Sequence, residues 1–394
     1  MTNKIHLHLA RMSDSGAEQQ YIREAFTTNW VAPLGPNVDG FEKALEGFVG
    51  NDKRVAALSS CTAAIHLALL LLGVGKDDEV LCQTFSFCAS TNPVIYCGAT
   101  PVFVDSEQDS WNMDPVLLEQ AIRDRIAKTG RKPKAIIVVD LYGMPANWEA
   151  LIAIGVKYNI PIIEDAANAL GSYYEKKPCG TFGNIRTLSF NGNKIITTSG
   201  GGALVCDDLE TKKSAIFLAT QAREPRPYYQ HEAIGFNYRM SNICAGIGRG
   251  QMTVLGDYVK CHKHIHDLYM LLLSEVEGIT VHDNPSIKFD SNFWLTTITL
   301  HPTLHIKGQA LIVDDNEPNP NVEALRVYLD QAGIEARPLW KPMHKQPVYK
   351  NAPAYVNGVS ESLFKVGMCL PSGPCVTDED VKYIVQTIKD AIEG

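Results

Sequence analysis

The chain has 394 residues, 45% of them hydrophobic and 20% charged, with a formal net charge of −8. That length is too great for one small core and suits two α/β domains, and the composition is ordinary for a soluble globular protein. The acidic balance argues against nucleic acid or an anionic membrane as the main partner.

In chain order, residues 1–11 carry no apolar core of signal-peptide length, and the longest apolar stretch, 67–72, is far too short to span a bilayer. A cytoplasmic location is therefore expected. From about residue 54 to 205, short apolar runs alternate with longer segments of helical length. Runs 55–58, 79–82, 101–104, 135–139 and 160–163, several rich in Val and Ile, predict buried strands. Segments 63–72, 115–127 and 148–158 predict helices between them. Such alternation implies right-handed crossovers and a largely parallel sheet. Residues 186–190 and 203–206 predict two further strands joined by a polar, glycine-rich turn. After about Met252 the rhythm changes: a long helix over 259–275, a strand over 293–300, a helix over 322–332 and a closing amphipathic helix over 378–392. The expected organisation is a large α/β domain over 1–255 and a smaller α+β domain over 256–394.

Three junctions carry candidate chemistry, because ligands of open α/β sheets bind beyond the carboxyl ends of the strands. The run 160–163 leads into Glu164-Asp165-Ala166-Ala167. Asp165 is either a helix N-cap or a carboxylate at the working edge of the sheet, able to hold a protonated ring nitrogen. Ser189-Phe190-Asn191-Gly192-Asn193-Lys194 runs into Thr197-Thr198-Ser199-Gly200-Gly201-Gly202. A lysine on a turn is usually solvated, yet this turn links two buried strands and is dense in hydroxyls and glycines, which suit a phosphate. Lys194 held there could form a Schiff base if its surroundings deprotonate it. Ser59-Ser60-Cys61-Thr62-Ala63-Ala64 is a strand-to-helix junction, where N–H groups and a hydroxyl favour an anion.

Other motifs carry less. There is no Walker loop, and Gly246-Ile247-Gly248-Arg249-Gly250 neither matches G-x-G-x-x-G nor follows a strand. Ten cysteines without a C-x-x-C pair are expected as reduced, packed thiols. His262 and His266 stand four apart on a predicted helix but lack a third ligand at a suitable spacing; they are expected on its polar face, and no metal site is expected.

Taken in order, these segments resemble the nucleotide-sugar aminotransferases of the DegT type, over nearly the whole chain. Trp30-Val31-Ala32-Pro33-Leu34-Gly35-Pro36 resembles the family's N-terminal substrate segment, Thr62-Ala63-Ala64 its phosphate-binding turn and Thr84-Phe85-Ser86-Phe87 its cofactor-stacking stretch. Glu164-Asp165-Ala166-Ala167, Gly180-Thr181-Phe182-Gly183, Lys194 with Gly200-Gly201-Gly202, and Gly235-Phe236-Asn237-Tyr238-Arg239-Met240 complete the likeness. The resemblance implies a fold-type-I transferase dependent on pyridoxal 5′-phosphate, acting as a homodimer with shared active sites. It further implies that Lys194 carries the cofactor, Asp165 holds the pyridinium nitrogen and Phe87 stacks on the ring. Thr62, Ala63 and Ser189, with Asn237 of the neighbouring chain, would bind the phosphate. Trp30, Arg239 and His344 are candidate substrate contacts. Asn168 stands where many relatives carry His, Gln or Glu near the phenolic oxygen; it can hydrogen-bond but is a poor acid or base.

The likeness is strongest to aminotransferases of UDP-2-acetamido-4-keto-6-deoxyhexoses, as in bacillosamine synthesis, through residues 191–202, 221–224 and 337–344. It implies L-glutamate as donor and amination at C-4 of the UDP-linked keto sugar. Amination at C-3 of a 3-keto sugar, and a cofactor-binding regulatory protein without turnover, stand as alternatives.

Overall fold

The computed structural model describes residues 4–308 and 318–392. Seven strands frame the larger half: β1 (Arg54–Leu58), β2 (Glu79–Gln83), β3 (Thr100–Val104), β4 (Ala135–Val139), β5 (Ile162–Asp165), β6 (Ile185–Ser189) and β7 (Gly202–Cys206). They lie in the order β1-β7-β6-β5-β4-β2-β3, and the short strand Ala354–Tyr355 adds beyond β3. All neighbours are parallel except the two pairs that β7 makes, with β1 and with β6.

Side chains alternate between the faces, as a pleated strand requires. Val55, Ala57, Ile136 and Val138 enter one core, and Ala56, Leu58, Ala135 and Ile137 enter the other. Because both faces are covered, the strands read as unbroken apolar runs. Helix α1 (Ala17–Thr27) leads into α2 (Pro36–Val49), which supplies Val38, Phe41 and Leu45 to the first core; α3 (Cys61–Leu71) supplies Ile65, Leu67 and Leu69 to the second. The glycine run 246–250 lies inside α4 (Asn242–Met252) and serves packing. A Cβ on Gly250 would stand 2.5 Å from the Glu18 nitrogen of α1, and one on Gly248 2.8 Å from the Phe41 ring of α2.

A second sheet orders Ile279–Val281, Thr296–Leu300, Gly367–Leu370 and Arg337–Pro338, all antiparallel. It packs with α5 (Leu255–Leu273), Pro320–Gln331 and Asp378–Ala391 around a third core. The predicted strand over 293–300 begins only at Thr296, because Phe293 turns the chain with φ of 49°. The expectation that His262 and His266 sit on a polar face is wrong: their exposures are 0% and 1%. Among the described residues, no helix is long and apolar enough to cross a membrane.

Where β4 and β5 end, Asp140 and Glu164 meet the Cys179 thiol in one buried cluster. Asp140 Oδ1 accepts the Ala146 N–H at 2.8 Å and Trp148 Nε1–H at 3.0 Å, whereas Oδ2 has no donor. Glu164 accepts the N–H groups of Gly180 and Phe182 at 2.5 and 2.6 Å. Burial pushes both carboxyls up, Asp140 to about 7, and a proton shared between them satisfies the orphan oxygen. Unfolding returns Asp140 to about 3.9, so the native state holds a proton that the unfolded chain releases. This stabilisation is full below a pH of about 4 and is lost as pH rises through about 7, at up to about 1.4 kcal/mol per pH unit. We therefore expect Tm to fall between about pH 4 and about pH 7 and to level off above that, and that slope to flatten in Asp140→Asn, whose amide donates at every pH. Thermal melts across this range check it; parallel slopes would refute the shared proton.

Candidate active site

The carboxyl ends of the parallel strands open into one cavity of about 760 Å³, with wall residues from the turns after β1, β2, β5 and β6 and from the second sheet. Lys194 stands in the β6–β7 turn between the exposed residues 191–193 and the buried pair Ile195 and Ile196, which anchor its backbone in the first core. Its Nζ donates to Asn168 Oδ1 at 2.6 Å and lies 4.3 Å from the centre of the Trp294 ring. Burial pushes the Lys194 amine down to about 8, against the opposing pull of Asp165 and Cys61. A lysine so placed loses its proton near neutral pH and becomes a nucleophile.

Asp165 closes β5, and its carboxylate is buried at the cavity wall. Oδ2 accepts Ser90 Oγ–H at 2.6 Å, and Oδ1 accepts the Ala167 N–H at 3.1 Å with the Cys61 thiol at 3.7 Å. Burial raises its pKa, and Ser90, the Ala167 N–H and Lys194 oppose that rise. No helix starts here, so the N-cap reading gives way to a tight turn closed by the aspartate on Ala167.

Helix α3 begins at the same wall. Ser60 caps it by accepting the Ala63 N–H at 3.0 Å, which leaves the N–H groups of Cys61 and Thr62 without intrahelical partners. Thr62 and Ser189 line the cavity beside them; Ala63 is buried behind the wall. The β7 strand must start with glycine to close over this end, since a Cβ on Gly202 would lie 2.3 Å from the Cys61 nitrogen. Phe87 is 55% exposed, with its ring 5.6 Å from Trp340.

These features fit pyridoxal phosphate. The free helix terminus and hydroxyls suit its phosphate, the buried carboxylate suits its ring nitrogen, the exposed Phe87 ring suits its flat face, and the near-neutral lysine suits its aldehyde.

The remaining candidates lie off the cavity wall. The Arg239 guanidinium is tied to Glu42 and to the Ala57 carbonyl, and Glu42 also binds Lys212 at 2.9 Å, so the charge is spent on joining β1 to α2. His344 uses both ring nitrogens internally, Nδ1 at 2.7 Å from Thr84 Oγ1 and Nε2 at 3.0 Å from Glu361. Trp30 and Asn237 are exposed. Conversely, Ser90 and Trp294 line the cavity without a sequence reading of their own, and Arg337 and Trp340 line it from within the segment 337–344. The one local sign was Ser90 at four residues from Ser86, whose hydroxyl lies 2.8 Å away.

A family model described as the DegT/DnrJ/EryC1/StrS aminotransferase family matches residues 13–389. The chain is 46% identical over 392 residues to EpsN of Bacillus subtilis (strain 168), whose name places it among pyridoxal phosphate-dependent aminotransferases; 98% of this chain and 96% of that one are covered. It is 34% identical over 376 residues to a GDP-perosamine synthase of Escherichia coli O157:H7, covering 95% and 96%. A solved DegT DnrJ EryC1 StrS aminotransferase from Brucella abortus matches with a TM-score of 0.85 and 28% identity over 95% of each chain.

Removing the Ser90 hydroxyl should raise the Asp165 pKa further, because that hydrogen bond holds the carboxylate in its charged form. In Ser90→Ala the acid limb of kcat/KM is expected to move up by about one pH unit. Superimposable pH–rate profiles would separate Ser90 from the carboxylate's ionisation.

Proposed function

The chain belongs to the DegT/DnrJ/EryC1/StrS aminotransferase family of pyridoxal phosphate-dependent sugar aminotransferases. From that premise we propose that it moves an amino group from L-glutamate to the C-4 ketone of a UDP-linked 2-acetamido-4-keto-6-deoxyhexose, in bacterial surface-glycan synthesis. The convergence of Lys194, Asp165 and the α3 terminus on one cavity carries the chemical half of this reading. The likeness of residues 191–202 and 337–344 to the UDP-sugar subgroup carries the substrate half.

When bound, pyridoxal phosphate supplies an exchangeable carbonyl and a ring that draws electrons from the donor's α-carbon. Lys194 holds the cofactor at rest. Once released, its Nζ takes the proton from the α-carbon of glutamate and later delivers one to C-4 of the sugar. Asp165 keeps the ring nitrogen protonated through an ion pair that Ser90 and the Ala167 N–H orient. Asn168 orients Nζ through an amide oxygen that exchanges no proton. The N–H groups of Cys61 and Thr62 and the hydroxyls of Thr62 and Ser189 neutralise the phosphate, and Phe87 covers the ring. The exposed Asn237 would reach the cavity of a second copy, which makes each active site shared within a homodimer, and Trp30 remains a candidate substrate contact. Two half-reactions through one site give ping-pong kinetics.

The purified protein is expected to be yellow, and borohydride should bleach the visible band while fixing the cofactor to Lys194. Peptide mapping decides it: an adduct on another lysine, or an unchanged band in Lys194→Ala, removes the assignment. Asp165→Asn should fold and bind cofactor yet lose turnover by about 100-fold or more; near-wild-type rates in both half-reactions would exclude the role. With a panel of keto nucleotide sugars, 2-oxoglutarate release should be fastest with the UDP-linked 4-keto sugar, and NMR should show nitrogen at C-4. A preference for a GDP or dTDP sugar, or amination at C-3, would overturn the substrate and leave the cofactor chemistry standing.

A further inference from the structure

The turn that brings Trp294 to Lys194 is strained and is held by groups that the proposed chemistry does not use. Phe293 sits at φ of 49°, a left-handed conformation that is unfavourable for a residue with a bulky side chain. His262 Nδ1 lies 3.2 Å from the Phe293 carbonyl oxygen, and the His266 ring stacks on the Phe293 ring at 3.5 Å and 4°. Asn292 Oδ1 accepts the Trp294 N–H at 2.8 Å, while Asn292 Nδ2 donates to the carbonyls of Asn168 and Leu170 at 2.9 Å. The turn presses so closely on Gly143 (φ 97°) that a Cβ there would stand 2.0 Å from Asn292 Oδ1 and 3.1 Å from the Trp294 nitrogen.

The product of this arrangement is an indole that grips the lysine twice. Its face stands 4.3 Å from Lys194 Nζ, and its Nε1–H donates to the carbonyl of Asn193, the preceding residue, at 2.7 Å. The Phe293 carbonyl can only accept, so His262 carries its proton on Nδ1 and presents Nε2 as an acceptor. That nitrogen meets His8 Nε2 at 3.3 Å, which must therefore donate. Burial pushes His262 down to about 4, and burial beside His262 and Lys194 holds His8 well below its ordinary value. Both rings are neutral at working pH, and the clamp persists there.

We propose that His262, which does not line the cavity, is a positioning residue. Its Nδ1–H on the Phe293 carbonyl holds the left-handed turn that sets the Trp294 indole against Lys194 and so fixes where Nζ stands when it moves a proton. This rests on the reading of Lys194 as the reacting lysine.

His262→Phe keeps a ring of similar size and loses the donor, whereas His262→Asn returns an amide N–H to the place of Nδ1. In stopped-flow single turnovers with glutamate, the rate constant is expected to fall about 10-fold in His262→Phe and in Trp294→Phe. It should recover to within about threefold of wild type in His262→Asn. KM for glutamate, cofactor content and Tm should hold. Hydrogen exchange over residues 291–295, measured without substrate, should speed up in His262→Phe and return to normal in His262→Asn. The double variant should be no slower than the worse single. An unchanged rate in folded His262→Phe, equal losses in the Phe and Asn variants, or additive losses would each overturn the proposal. Should His262→Phe not fold, His262→Gln, whose amide sits nearer the place of Nε2, replaces it. A borohydride adduct on a different lysine, with exchange at 291–295 still following residue 262, would leave the clamp intact and remove Lys194 as its target.

Discussion

The site depends on keeping one amine buried and close to neutral while a carboxylate shares the same cavity. Burial disfavours the ammonium of Lys194 and the carboxylate of Asp165 alike, and each favours the charged form of the other. The hydrogen-bond partners decide the balance. Lys194 donates to the neutral amide of Asn168, which accepts from an amine in either protonation state and adds no charge to pull the pKa up. Asp165 receives a hydroxyl, a backbone N–H and a thiol, so its charge is met by dipoles and its remaining capacity stays free for a cationic ring. A carboxylate at position 168 would orient the lysine equally well and hold it protonated, which gives the departure at Asn168 a physical consequence.

Strain gathers where that balance is set. Tyr142 and Phe293 take positive φ, and Gly143, for which that conformation carries no strain, lies with them beside Trp294. The Tyr142 hydroxyl accepts the Trp340 N–H at 2.8 Å, and the Gly143 carbonyl accepts Ser172 Oγ–H at 2.6 Å, whose oxygen in turn accepts the Asn292 N–H. Such conformations persist only where the surrounding structure over-determines them. Here the packed layers on both faces of the large sheet and the long helix α5 of the third core supply that constraint. The second sheet thereby reaches the lysine through a turn, not through a ligand-binding side chain.

Charge distribution follows the same logic of partners before types. Arg239 and Lys212 converge on Glu42 with little exposure, so removing Glu42 would leave the buried Arg239 charge without its carboxylate. His344 links Thr84, at the end of β2, to Glu361, which also meets Lys345. Both basic residues act as struts that fix strand ends, while hydroxyls, free backbone N–H groups and the Arg337 side chain face the cavity.

What is local in physics was legible in the amino-acid order. Strands buried on both faces appear as apolar runs, and Ser60 announces the helix it caps. A lysine among hydroxyls and glycines marks the β6–β7 turn, and Asp165 stands at a strand end. The family likeness rests on these same segments. Whether Arg239 or His344 faces a ligand or a neighbouring carboxylate could not be read there. Nor could the bond from Ser90 to Asp165 across 75 positions, or the reach of His262 to the turn at Phe293 and Trp294. A side chain's type is set by one residue, but its partner is set by which distant elements the packed cores bring within hydrogen-bonding range, and only the tertiary structure decides that.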